Sequence, residues 1–283
     1  MGPELRWGER TYLMGIINVT PDSFSGDGLA SSGRSIDEIV AAALGQAHRF
    51  VAAGAEILDV GAESTRPRNA YGDHPEVDAE TEAGVAVPVV RALAAELGER
   101  ARISIDTSKG AVARAALEAG ATIVNDVWAA RRDPGTAEAA AAARAQLVLM
   151  HNQEGNKYPS GVFEAVVAWL RESVDLAVKH GVGRDRLIVD PGIGFGKGTA
   201  DNLELLHRLA ELKAALDGLP LLVGTSRKRF IGELLGGAVP DDRREGTAAT
   251  VALAIGAGAD IVRVHDVEVM ARTRTVADAV VRR

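Results

Sequence analysis

The feature that most constrains this 283-residue chain is a short phrase written three times. Ala53-Gly-Ala-Glu-Ile-Leu-Asp59, Ala119-Gly-Ala-Thr-Ile-Val-Asn125 and Ala257-Gly-Ala-Asp-Ile-Val-Arg263 each follow an alanine-rich helical stretch. The glycine suits the left-handed residue that closes a helix, and the apolar run after it reads as a buried strand. Each strand then stops on a polar side chain, Asp59, Asn125 or Arg263. The repeated glycines lie at 54, 120 and 258, so the spacings are two and four units of about 34 residues, one strand–helix unit each.

Filling the gaps gives strands at Tyr12–Asn18, Glu56–Val60, Arg102–Asp106, Thr122–Asp126, Gln146–Met150, Leu187–Asp190, Leu221–Gly224 and Asp260–Val264. Helical patterns alternate with them at Ser35–Ala53, Val77–Leu97, Lys109–Ala119, Thr136–Ala143, Val162–His180, Asn202–Leu216, Gly246–Ala257 and Val267–Val281. Strict alternation of this kind predicts a parallel α/β protein, with a (β/α)8 barrel in one domain over residues 1–283 as its natural closure. An open doubly wound sheet shares the alternation, but it usually carries a Gly-rich turn after its first strand, and none stands here.

Composition narrows the function. Hydrophobic residues make up 47% and charged residues 25%, which is ordinary for a globular protein and excludes disorder. There is no run of apolar residues long enough for a membrane helix, and charge precedes any apolar run at the start, so no signal peptide is read and the cytoplasm is the expected location. The absence of cysteine excludes disulfides, thiolate nucleophiles and Cys-type zinc sites. A net charge of −7 with mixed signs argues against nucleic acid or a membrane surface as partner.

In a barrel, function collects where the strands end. Those ends read Asn18, Asp59 with Glu63, Asp106, Asn125 with Asp126, His151, Asp190, Ser226 with Lys228, and Arg263 with His265. Each alone is explained by helix capping; a whole ring of acids, amides and cations is better explained as a binding site. Asp106, Asp190 and Asn125 offer acceptors and an amide suited to a flat amino-pyrimidine edge. Arg66, Arg68, Lys228, Arg263 and His265 suit a phosphate or diphosphate, and Arg263 could also stack on the ring. The polar segments Val19–Arg34 and Gly61–Arg68 read as binding loops beside the mouth, with Asp22, Asp27, Ser64 and Thr65 in them. Trp128 and Phe195 stand next to the mouth, and Trp7 and Trp169 read as packing residues.

Two tempting motifs fail. Gly192-Ile-Gly-Phe-Gly-Lys197 has three residues, not four, before its Gly-Lys, and Gly198 follows instead of Ser or Thr. Gly224-Thr-Ser-Arg-Lys228 is not a nucleophile elbow. His48, His180 and His207 lie within helical patterns and read as surface or cap residues.

Met14-Gly-Ile-Ile-Asn-Val-Thr-Pro-Asp-Ser-Phe-Ser25, Glu63-Ser-Thr-Arg-Pro67, Asp106-Thr-Ser-Lys109, Asn125-Asp-Val127, Asp190-Pro-Gly-Ile-Gly-Phe-Gly-Lys197, Ser226-Arg-Lys228 and Arg263-Val-His-Asp266 together resemble the dihydropteroate synthase family, in the family's order and over nearly the whole chain. The resemblance implies a homodimeric (β/α)8 transferase of folate biosynthesis and a sulfonamide target. It would join 6-hydroxymethyl-7,8-dihydropterin diphosphate to p-aminobenzoate, giving 7,8-dihydropteroate and pyrophosphate.

Carried over by motif, Asp106, Asn125, Asp190 and Lys228 would hold the pterin, with Arg263 stacked on it. Asp59, Val127, Met150 and Gly224 would complete that pocket. Asn18 would bind Mg2+ with the diphosphate, and Arg66, Arg263 and His265 would hold the diphosphate as it leaves. Thr65, Pro67, Phe195 and Ser226 would shape the aminobenzoate pocket. The implied catalytic group is Asp106, Lys228, Arg263 and His265, in a displacement where the leaving group departs before the amine attacks.

The chain departs from the family's usual pattern at four places: Arg68 stands for Gly, Trp128-Ala129 for Ser-Gly, Asn152 for Met, and Ser25-Gly-Asp-Gly28 for Ser-Asp-Gly-Gly. Two other readings share the ring. One is a barrel that transfers a methyl group from a folate to a corrinoid protein; it gives no reason for the Thr-Pro-Asp-Ser-Phe-Ser loop or the Ser-Arg-Lys turn. The other is a paralogue that binds a pterin without turnover, which loss of Asn18 or the cations would favour; all are present.

Overall fold

Strand and helix alternate along the chain as the repeat requires, and the strands close on themselves. In the computed structural model, which describes residues 2–20, 29, 34–63 and 77–282, the strands are β1 (Tyr12–Asn18), β2 (Ile57–Gly61), β3 (Arg102–Asp106), β4 (Ile123–Asp126), β5 (Gln146–Met150), β6 (Leu187–Asp190), β7 (Leu222–Val223) and β8 (Ile261–Val264). All pair in parallel, in the order β6-β5-β4-β3-β2-β1-β8-β7. A bridge between Val189 and Leu221, just before β7, closes the ring. This is a (β/α)8 barrel.

The described helices are α1 (Ile36–Ala53), α2 (Ala79–Leu97), α3 (Gly110–Glu118), α4 (Gly135–Ala143), α5 (Val162–Lys179), α6 (Thr199–His207), α7 (Leu209–Ala215), α8 (Arg229–Leu234), α9 (Arg244–Gly256) and α10 (Val267–Val281). Local chemistry sets their limits. Ser35 and Glu38 form a reciprocal capping box at the start of α1, and Asp78 accepts from Thr81 N to start α2. The repeated glycines have φ of 101° at Gly54, 114° at Gly120 and 93° at Gly258, the left-handed turn that a side chain disfavours. Each lets the chain leave a helix and enter β2, β4 or β8.

A strand's period of two divides the core. One set of side chains, including Leu13, Leu58, Ile103, Val124, Leu149, Val189 and Val262, packs outward against the helices. The alternate set, Tyr12, Met14, Ile57, Ile123, Val148, Ile188, Leu222 and Ile261, fills the barrel, with Leu5 and Trp7 against it. Trp7 meets Tyr12 edge-on at 5.8 Å. The inward phase, continued up each strand, decides which polar residues reach the mouth.

Candidate active site

Two residues beyond the inward apolar layer, the inward positions turn polar: Asp59 follows Ile57, Asn125 follows Ile123, Asp190 follows Ile188 and Arg263 follows Ile261. Met150 follows Val148 in the same way, and Gly224 follows Leu222. Asp106 and Asn18 hold the same phase at the tips of β3 and β1. One alternation therefore makes both the dry barrel interior and the polar floor of its mouth.

Arg263 organises that floor. Its Nε donates to Asp59 Oδ2 at 2.7 Å and its Nη2 to Asp106 Oδ2 at 2.7 Å. Asn125 Nδ2 donates to the same Asp59 oxygen at 3.0 Å. Asp59 Oδ1 and Asp106 Oδ1 are buried and have no hydrogen-bond partner among the described residues, which leaves each an acceptor at the mouth. Burial pushes the Asp106 carboxyl up to about 7; the Arg263 charge works against that rise, and Asp59 adds to it. Asp190 is also raised by burial, with Lys228 opposing, and its Oδ1 accepts from Gly192 N at 2.7 Å.

Lys228 enters from the turn after β7. It donates to Ile193 O and lies 4.6 Å from the centre of the Phe195 ring. Burial lowers its pKa to about 8 while Asp190 raises it. In the same turn, Ser226 Oγ accepts from His265 N at 3.1 Å and lies 2.9 Å from His265 Nδ1. Between Ser226 and Lys228, Arg227, at φ 58°, forms a two-bond pair with Asp266 at 3.0 and 2.8 Å. Arg227 thereby ties the Ser226–Lys228 turn to the end of β8. It was legible only as the middle of the Ser-Arg-Lys phrase.

The sequence-derived ring needs three corrections. Asp126 stands out of phase with Asn125 and faces away from the barrel interior. It accepts from Trp128 N, Ala130 N and Thr136 Oγ1 at 2.7–2.9 Å and shapes the turn after β4. Glu63 is occupied by Lys109 Nζ at 2.5 Å and by Val77 N at 3.1 Å; Lys109 also holds the buried Glu82 at 2.6 Å. His151 lies beyond the tip of β5 under Trp169, ring centres 5.0 Å apart, and its Nδ1 meets Lys197 Nζ at 2.8 Å. Burial, then the Lys197 charge, keeps that imidazole neutral.

Val127 is buried just past β4, and Phe195 is half-buried beside Lys228. Trp128, half-buried, carries the guanidinium of Arg132 over its ring at 3.5 Å. Thr65, Arg66, Pro67 and Arg68, and the first-loop acids Asp22 and Asp27, lie outside the described residues. His48, His180 and His207 do sit at helix surfaces or ends, His48 against Glu96 and His180 against Glu138. Lys197, passed over in the sequence, is a structural part of the mouth.

No group of three or more His, Asp or Glu that could hold a metal gathers among the described residues. The one expected metal ligand, Asn18, offers a single hard oxygen at the rim. That fits Mg2+, which commonly keeps waters and takes most of its ligands from phosphate oxygens.

The model of the family described as "Pterin binding enzyme" matches residues 14–265, which defines this barrel and its polar mouth as those of a pterin-binding enzyme. The chain is 44% identical over 275 residues to the dihydropteroate synthase of Bacillus subtilis, covering 97% of this chain and 90% of the relative. A structure of dihydropteroate synthase from Clostridium difficile in the presence of pteroic acid superposes with a TM-score of 0.88 at 42% identity, covering 98% of this chain and 99% of that one. One from Xanthomonas albilineans with 4-aminobenzoic acid gives 0.85 at 41% identity, covering 96% and 94%. The chain belongs to the dihydropteroate synthase family.

Proposed function

We propose that this enzyme transfers the dihydropterin methylene of 6-hydroxymethyl-7,8-dihydropterin diphosphate to the amine of p-aminobenzoate. The observation that carries the reading is the inward ring of Asp59, Asp106, Asn125, Asp190, Lys228 and Arg263, whose donors and acceptors match a pterin edge. Asp190, Asn125 and Lys228 hold the ring in place. Arg263, anchored by Asp59 and Asp106 through two of its N–H groups, keeps its remaining N–H groups for the diphosphate or its flat face for the pterin.

The chemistry needs no protein nucleophile. The methylene C–O bond breaks and its electron pair leaves on pyrophosphate. The aminobenzoate nitrogen then forms the new C–N bond and loses one proton. Charge, not covalency, is what the site supplies. Ionised Asp106 favours positive charge on the pterin methylene; Arg263 and His265, with Arg66 of the Ser-Thr-Arg-Pro phrase, favour negative charge on the departing diphosphate. Mg2+, held by Asn18 and the diphosphate oxygens, would neutralise the leaving group.

We propose further that the enzyme is a homodimer, on the strength of exposed apolar side chains on α9 and α10. Among the described residues no helix is long and apolar enough to cross a membrane. The deciding experiment follows pyrophosphate and dihydropteroate together, with and without p-aminobenzoate and with and without Mg2+. Matched formation of both products that requires both additions is expected. Pterin binding without dihydropteroate would sink the reading.

A further inference from the structure

The segment Gly192–Gly196 forms one wall of the mouth, and two lysines hold it. Lys228 reaches Ile193 O from the side of the site. Lys197 holds it from within: Nζ donates to Gly192 O at 2.9 Å and to Phe195 O at 2.9 Å, and meets His151 Nδ1 at 2.8 Å. An ammonium has three N–H groups, so these partners use them all and leave none for a ligand. The backbone is built for this convergence. Gly192, Gly194 and Gly196 have φ of 66°, 81° and 57°, and this alternation brings the carbonyls of 192 and 195 to one point. Tyr158 OH fastens the far end by donating to Gly196 O at 2.7 Å, and Asn202 Oδ1 accepts from Gly194 N at 2.6 Å.

Lys228 has two duties that conflict. It steadies Ile193 O, and it is needed by the pterin. Once a ligand draws the Lys228 ammonium away, the wall depends on Lys197, Tyr158 and Asn202. We propose that Lys197 is a positioning residue: it holds the Gly192–Gly196 wall, and through it the Phe195 ring, in the shape that the aminobenzoate half of the site requires while Lys228 serves the pterin. The inference rests on the dihydropteroate synthase reading above. Desolvation lowers the Lys197 pKa to about 7, with Asp190 and Asp201 favouring the ammonium and Lys228 disfavouring it, so the three-bond strut belongs to the protonated form.

The test is a double-mutant cycle read by steady-state kinetics on the full chain. Lys197→Met keeps the stem and removes the ammonium; Phe195→Ala removes the ring it positions. Lys197→Met is expected to raise the KM for p-aminobenzoate about tenfold and to leave kcat within about threefold. Adding Phe195→Ala to Lys197→Met should cost little more than the worse single change, because both act through one ring. Penalties that multiply, or an unchanged KM, would overturn the proposal, since a merely structural lysine gives independent effects. Should Lys197→Met fail to fold, Tyr158→Phe loosens the same wall from outside and should raise the same KM about threefold; no rise overturns the proposal. The parent enzyme is assayed first: no dihydropteroate from it overturns the function and this inference together, whereas turnover with multiplying penalties removes Lys197 alone.

Discussion

Asp59 and Asp106 lean on one guanidinium, so two buried carboxylates share a single positive charge. The Asp106 carboxyl rises to about 7 in the folded protein, chiefly through burial, against about 3.9 in an unfolded chain. Between those values the folded state binds the extra proton. Its contribution to stability is therefore complete below about pH 4 and is lost as pH rises through about 7. Catalysis runs the other way, because only the ionised form favours a cationic methylene. We expect kcat/KM to fall as pH drops through about 7. Asp106→Asn should lower kcat about a hundredfold at pH 8.5 and flatten that acid limb; a limb that persists in the variant would free Asp106 of the role. Urea unfolding at pH 5 and pH 8 gives the second reading, with parent stability falling more than that of Asp106→Asn over the interval. Asp59, Asp106, Asn125, Asp190 and Arg263 were legible as polar residues ending apolar runs; which of those ends face the interior is set by the strand's alternation. Asp126 and His151 stand at the same kind of place in the sequence but one step out of that phase. Asp126 turns back on Trp128 N and Ala130 N, while its partner Thr136 and the Lys197 partner of His151 are 10 and 46 residues away, and no local pattern announces those two.

Among the elements, the Gly192–Gly196 wall makes the sharpest prediction. A Cβ at Gly192 would stand 1.9 Å from His151 O, a backbone atom with no room to retreat, at φ 66°. A Cβ at Gly194 would stand 2.7 Å from Lys228 Cδ, at φ 81°, but that atom belongs to a flexible side chain. Both alanines bear the left-handed strain of about 1–3 kcal/mol; only Gly192→Ala adds a backbone clash. Gly192→Ala should lose at least about 3 kcal/mol in denaturant unfolding or fail to fold, while Gly194→Ala should fold and lose activity. Equal losses in the two variants would show that the wall, and not the clash, sets the cost. Most elements were readable from apolar periodicity and their caps; β1, β3, β5, β6 and α10 match their expected limits to the residue. The single helix expected over Asn202–Leu216 is instead α6 and α7, separated at Arg208, where φ is −103°. Arg208 lies over the Phe163 ring at 3.5 Å and pairs with Glu164, Glu204 and Glu211. The six-residue α8 was too short to show a period. β7 shrinks to Leu222–Val223 because its neighbours Leu221 and Gly224 serve the closing bridge and the mouth.

At the scale of the whole molecule, the barrel hides its strands behind helices, so what the outer helix faces expose is informative. Leu253 on α9 is 69% exposed, and Val276 and Val280, one turn apart on α10, are 67% and 62% exposed. The two helices pack on one another, which sets these apolar side chains on neighbouring elements. A stable pair of subunits needs about 800 Å² from each partner, more than three side chains supply, so the face would have to extend along both helices. Isologous pairing through this face would account for valine and leucine where a solvated helix carries Lys or Glu. Sedimentation equilibrium at micromolar concentration should give twice the 29.6 kDa chain mass, and the double variant Leu253→Lys with Val276→Glu should sediment as a single chain with an unfolding temperature at or above the parent's. The substituted sites are solvent-exposed in the single chain, so the change costs the fold little. A variant that stays dimeric would move the interface to another face, and a parent that sediments as one chain would remove the dimer. Either result would leave the mouth of the barrel untouched, because every described group in it comes from the same chain that closes it.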